Sequence, residues 1–205
     1  YINGKWVSIG NSTFLKVFDK YDHSLLQEIP YASEEQIESA VIASQNGLQA
    51  MKKWSSGEKA EKLQKLYVLL VENKQFFIDL IVQEAGKPRS YAETEVERSL
   101  TTLEGTIREI FRFGGESVPL DYGGGAGKTA FTKRFPLGIV LCVTPFNFPL
   151  NLLMHKIAPA LAVGCSLIIK PPPQAPLSAL ALIALISEVG YPDGAVNIVN
   201  CEVSS

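Results

Sequence analysis

Residues 137–199 read "LGIVLCVTPFNFPLNLLMHKIAPALAVGCSLIIKPPPQAPLSALALIALISEVGYPDGAVNIV", and the order of apolar blocks in this stretch decides the fold. "LGIVLCV" and "SLIIK" are short apolar runs bounded by Gly, Pro or charge, as strands are. Between them "LNLLMHKIAPALAVG" has the length and composition of a helix. After Pro176 the run "LSALALIALISEV" predicts a second helix, residues 190–194 a turn, and "AVNIV" a last strand. Strand, helix, strand, helix, strand is the signature of right-handed parallel crossovers. The expected class is therefore α/β, with this half forming part of a doubly wound parallel sheet. "LGIVLCV" is apolar throughout, which predicts burial on both faces.

Working outward, "STFLKVFD" and "LLQEIP" near the start predict a pair of short strands. Ser33-Glu34-Glu35-Gln36 is a capping box: Ser33 accepts from the Gln36 amide while Gln36 reaches back. Behind it Ile37, Val41, Ser44, Leu48 and Met51 mark one helical face. A second box, Ser55-x-x-Glu58, opens a long helix carrying Leu63, Leu66, Leu70, Phe77, Leu80 and Ile81. Gly86 and Pro88 stop it. A third stripe (Val96, Leu100, Leu103, Ile107, Ile110) runs to Gly114-Gly115. The pattern predicts core packing on one side of these helices and solvated charge on the other. "FTKRFP" at 131–136 alternates as a strand does. No internal repeat or low-complexity tract is present.

The run "YGGGAGKTAF", residues 122–131, nearly spells a P-loop. That motif needs Gly, four residues, then Gly-Lys-Ser/Thr, and the first required position is occupied by Tyr122. A P-loop also opens a helix whose amides face the anion, whereas a strand pattern follows here. The run reads as a glycine-rich connection between two strands with Lys128 in solvent.

Composition excludes several classes. Nineteen basic and 21 acidic residues give a net charge of −2, no basis for a nucleic-acid or membrane-surface role. Cys142, Cys165 and Cys201 form no C-x-x-C pair, and with His23 and His155 they suggest no metal site. So sparse a set fits a reducing cytoplasm. The longest apolar stretches are interrupted before they could span a bilayer, and "YINGKWVSIG" lacks a signal-peptide pattern. A start at Tyr1 suggests a missing N-terminal piece.

In an open α/β sheet, ligands collect beyond the carboxyl ends of the strands. Two such exits stand out. The proline run after Lys170 holds it on a stiff, extended exit; it either reaches hydroxyls or phosphates or simply snorkels at a strand end. Asn147 lies between Phe146 and Phe148 with prolines on both sides. It is either a rigid donor suited to a developing oxyanion or an Asn used for turn chemistry.

Together, "TPFNFP…HKIAPALAVGCSLIIKPPP…AVNIV", "YINGKW" at 1–6, "EAGKP" at 84–88 and "RFPLGIV" at 134–140 resemble the aldehyde dehydrogenase superfamily over essentially the whole chain. The resemblance implies a Rossmann-type parallel sheet with flanking helices and a projecting hairpin that covers a partner subunit. It divides the chain into 1–116, an oligomerisation hairpin at 117–136, and the first βαβαβ part of a dinucleotide-binding domain at 137–205. Asn147 matches the family's oxyanion donor and Lys156 a lysine sometimes assigned to proton relay. Thr144, Pro145, Phe146, Lys170, Pro172 and Pro173 match the cofactor wall. The implied reaction is oxidation of an aldehyde through a cysteine thiohemiacetal with NAD or NADP.

Two departures matter. Pro173 stands where many members carry a ribose-binding Glu, which opens the site to NADP. The family's catalytic Cys and Glu lie downstream, so the 205 residues alone are expected to be inactive, incomplete without that domain and altered in self-association. The complete protein is expected to form a dimer or tetramer. The alternatives are a non-catalytic remnant acting as an interaction module, or a relative acting on acyl phosphates or acyl-thioesters.

Overall fold

A computed structural model describes residues 1–7 and 13–202. Strands β1 (Phe14–Phe18) and β2 (Leu25–Pro30) pair antiparallel. Ser12, the first residue of the strand expected from the sequence, lies outside the described residues. Four helices follow: α1 (Glu34–Met51), α2 (Ser56–Glu72), α3 (Lys74–Ala85) and α4 (Arg89–Glu109). Both capping boxes form as their spacing dictates, Ser33 with Gln36 and Ser55 with Glu58. The long helix expected from Ser55 to Gly86 is instead two, broken at Asn73, whose side-chain amide donates to the Leu69 carbonyl at 2.8 Å. The apolar stripe continues across this break, so periodicity alone did not reveal it. Gly86 ends α3 with φ 66°, the left-handed conformation that glycine adopts without a Cβ penalty.

β3 (Ser117–Val118) and β4 (Ala130–Phe131) form a short antiparallel hairpin. The glycine run is its loop, with one 3-10 turn at Gly123–Gly125 and Lys128 exposed. No helix opens behind it, so phosphate-loop geometry is absent among the described residues. The strand expected over 131–136 is confined to Phe131; beyond it the Thr132 and Arg134 amides still donate to the Glu116 and Gly114 carbonyls, so the two segments stay side by side without regular strand pairing.

That sheet has the expected parallel order β5 (Ile139–Val143), β6 (Ser166–Lys170), β7 (Val196–Ile198), with crossover helices α5 (Asn151–Val163) and α6 (Leu177–Val189). β6 is central. Its Leu167 and Ile169 enter the main core with α5 and α6, while Ile168 packs with Ala40 and Ala43 of α1 on the other face. The helix α1 approaches closely. A Cβ on Gly47 would lie 2.3 Å from the Ala195 nitrogen, so only glycine allows this helix to rest on the turn into β7.

One expectation is corrected. β5 is an edge strand in these residues, and only Val140 and Cys142 turn toward the core. Leu141 and Val143 are 64% and 54% exposed, because α1 rests mainly over β6 and β7 on that face. Apolar composition marked surface suited to burial, without saying which element would cover it. Among the described residues no helix is long and apolar enough to cross a membrane.

Candidate functional site

The parallel register places Val143 opposite Lys170, so the exits of β5 and β6 leave the same end of the sheet side by side. Thr144 ties them: its N–H donates to the Lys170 carbonyl at 3.3 Å and its Oγ1 at 3.4 Å. Beyond this tie lie Pro145, Phe146 and Asn147 on one exit, all exposed. Pro171, Pro172 and Pro173 follow Lys170 on the other.

Lys170 is half-buried, and no carboxylate pairs with it among the described residues. Pro172 is buried, so its ring stiffens the exit from within, while Pro173 is partly exposed. Seven of the eight candidate residues are thus gathered at one end of the sheet. Lys156 is not among them. It is exposed on α5, five residues beyond Asn151, or about 7.5 Å of helix rise. Its charge acts on the Cys142 thiol.

The loop carrying Asn147 is anchored from a distant element that the sequence did not single out. Helix α5 has no side-chain cap of its own. The amides of Leu150 and Asn151 donate instead to Glu95 Oε1, at 2.9 and 3.1 Å. Glu95 is wholly buried on α4, and its Oε2 is paired with Lys87. The Lys87 ammonium also sits 3.8 Å from the centroid of the Phe148 ring, the residue next to Asn147. Helix α6 repeats the device. It lacks a local cap, and Leu177 and Ser178 donate to Glu84 of α3. The two glutamates flank "GKP", where polar residues were expected to lie in solvent. Each satisfies orphan amides at a positive helix end.

None of the cysteines among the described residues lies on the two exits. Cys142 and Cys165 are buried and Cys201 follows β7. Burial pushes the Cys142 thiol up to about 11, leaving almost no thiolate near neutrality. Native protein at pH 8 is accordingly expected to leave Cys142 unmodified by iodoacetamide. Peptide mass spectrometry checks this, and prompt alkylation would contradict the packing. A large open cleft, about 1380 Å³, lies between the 133–136 segment and helices α4 and α5, and none of the gathered residues lines it.

A parallel sheet presenting these two exits was the arrangement the resemblance implied, and the comparisons agree. The model described as "Aldehyde dehydrogenase family" matches residues 6–205, and the chain belongs to that family. It is 35% identical over 97% of its length to 3-sulfolactaldehyde dehydrogenase of Priestia aryabhattai, covering 41% of that relative. Aldehyde dehydrogenase 21 from Physcomitrella patens, solved with its reaction product succinate, superposes with a TM-score of 0.93 at 33% identity, over 98% of this chain and 42% of that one. The NADP-dependent glyceraldehyde-3-phosphate dehydrogenase of Bacillus halodurans C-125, solved with NADP, gives 0.92 at 32% identity over 98% and 43%. The chain thus spans about two-fifths of the length of these relatives.

Proposed function

We propose that the chain is the N-terminal part of an NAD(P)-dependent aldehyde dehydrogenase that converts an aldehyde to a carboxylic acid. The observation that carries this reading is the joined pair of strand exits, which places Asn147 and Lys170 at one end of the sheet across the Thr144 tie. The residues present fit a dinucleotide: a lysine with no carboxylate partner among the described residues, available to ribose hydroxyls or phosphate, on an exit that proline holds extended. When bound, that cofactor accepts the hydride from the substrate carbon.

Asn147 supplies the side-chain amide that donates to the carbonyl oxygen as a thiolate adds and negative charge develops there. Its exposure leaves it open to substrate. The bare face of β5, with Leu141 and Val143, supports a larger sheet in the whole protein. Lys156, standing apart on α5, is assigned to proton relay only as a secondary role.

We further propose that residues 1–116, 117–136 and 137–205 divide as the N-terminal strands and helical part of the cofactor-binding domain, the oligomerisation hairpin, and the first βαβαβ part of the dinucleotide-binding domain. The complete enzyme is a homodimer or homotetramer. Free, unpaired cysteines fit the reducing cytoplasm, where we place it.

Assay of the complete protein against an aldehyde panel, with both cofactors, tests this reading. Cofactor reduction coupled to acid formation is expected, and its absence with every aldehyde and both cofactors would overturn it. Pro173 offers no carboxylate to repel a 2′-phosphate, and NADP is the cofactor we expect to be used better. Pro173→Glu should lower kcat/KM for NADP at least tenfold relative to NAD, by charge repulsion against Lys170's ligand. A strong NAD preference in the unaltered enzyme would refute this.

A further inference from the structure

Asn147 is exposed, and among the described residues no hydrogen bond within the chain holds its side chain. Its aim therefore depends on what fixes the backbone on either side. Ahead of it, Thr144 is tied to Lys170. Behind it, three groups converge from the α3–α4 connection and from α4. Glu95 Oε1 accepts from Leu150 and Asn151, three and four residues after Asn147. Lys87 neutralises the other oxygen of Glu95 and lies 3.8 Å from the centroid of the Phe148 ring. The Arg98 guanidinium stands 5.8 Å from the same ring.

We infer that Glu95, held in place by Lys87, is the positioning residue for Asn147. A single buried carboxylate fixes where α5 begins, and the ammonium that balances it fixes the adjacent aromatic ring. One ion pair therefore sets both the position and the tilt of the segment that ends in the oxyanion donor. The inference rests on the aldehyde dehydrogenase reading above. Positioning matters because displacing a reacting group by about 1 Å can lower a rate by about 10²-fold, and Glu95 is the side chain that accepts from both amides at the start of α5.

The chemistry of Glu95 separates positioning from simple folding. In Glu95→Gln the side chain keeps an oxygen for the two helix amides but turns an N–H donor toward the Lys87 ammonium. The pair is lost while volume is preserved. Lys87→Met removes the cation from both Glu95 and Phe148 and leaves the Glu95 carboxylate to accept from the α5 amides.

The test uses the complete enzyme, with the single variants Glu95→Gln, Lys87→Met and Asn147→Ala and the doubles made with Asn147→Ala. Glu95→Gln is expected to slow the pre-steady-state burst of cofactor reduction about 10- to 100-fold. The cofactor Kd, measured by fluorescence titration, should stay within about twofold, since the Thr144 and Lys170 exit is untouched. In the Asn147→Ala background the Glu95→Gln effect should shrink to about twofold or less, because the group it aims is gone. Lys87→Met should behave the same way and decides the matter if Glu95→Gln does not fold. Losses that multiply fully in the double variants would overturn the inference while leaving the oxyanion role intact. An Asn147→Ala enzyme with undiminished activity would instead overturn the reading on which the inference rests, and the inference with it.

Discussion

Replacing Asn147 by Ala in the complete enzyme is expected to reduce kcat about 10²- to 10³-fold, equivalent to about 2.7–4 kcal/mol of transition-state stabilisation. The reason is local. The amide sits in a loop with proline at Pro145 and Pro149 and has no competing partner among the described residues. A donor fixed before the reaction costs no reorganisation when charge appears on the substrate oxygen. The cofactor KM should change little, since Lys170 and the proline exit belong to a different strand. Steady-state and burst kinetics with saturating cofactor measure both quantities. A loss smaller than about tenfold would remove Asn147 from the oxyanion role and leave it a turn residue.

The second large effect is on stability. Glu84→Ala is expected to destabilise the protein by about 3–4 kcal/mol, because the Leu177 and Ser178 amides would lose their buried acceptor together. The same side chain carries a pH dependence. Burial raises the Glu84 carboxyl above its ordinary value of 4.5, and hydrogen bonds from Ser178 and Leu177 offset this only in part. The folded state therefore binds that proton more tightly than the unfolded chain does. Its contribution to stability is fully present below 4.5 and declines as pH rises through the raised folded value. The stability difference between the natural protein and Glu84→Gln should accordingly shrink from pH 4.5 toward neutrality. Urea unfolding of both proteins across that range measures it. A difference that widens with pH would mean that the three donors outweigh burial.

The two glutamates also mark where sequence reading stopped. The Ser33 and Ser55 boxes were legible because both partners lie three residues apart, within one turn of chain. Glu84 and Ser178 are 94 residues apart, and Glu95 and Leu150 are 55. On a helical projection both glutamates looked like ordinary polar positions. The signal available was indirect: helices α5 and α6 begin with no capping residue of their own, and an uncapped buried helix end requires a donor-satisfying group from elsewhere. The break at Asn73 was hidden for a related reason, since α2 and α3 bury the same stripe on either side of it.

What the sequence determined alone was everything carried by short-range chemistry. Apolar runs of strand length, separated by helices, specified the parallel α/β order; turn residues specified the hairpin; the proline-bound "TPFNFP" and "KPPP" exits marked the candidate site. Tertiary structure decided the rest. Placing Val143 opposite Lys170 requires two strands to pair, leaving the β5 face bare depends on α1 packing mainly over β6 and β7, and anchoring the Asn147 loop requires a carboxylate from α4 to reach the start of α5. Hydrophobic periodicity records which surface is to be buried, and only the packed chain determines which partner meets it.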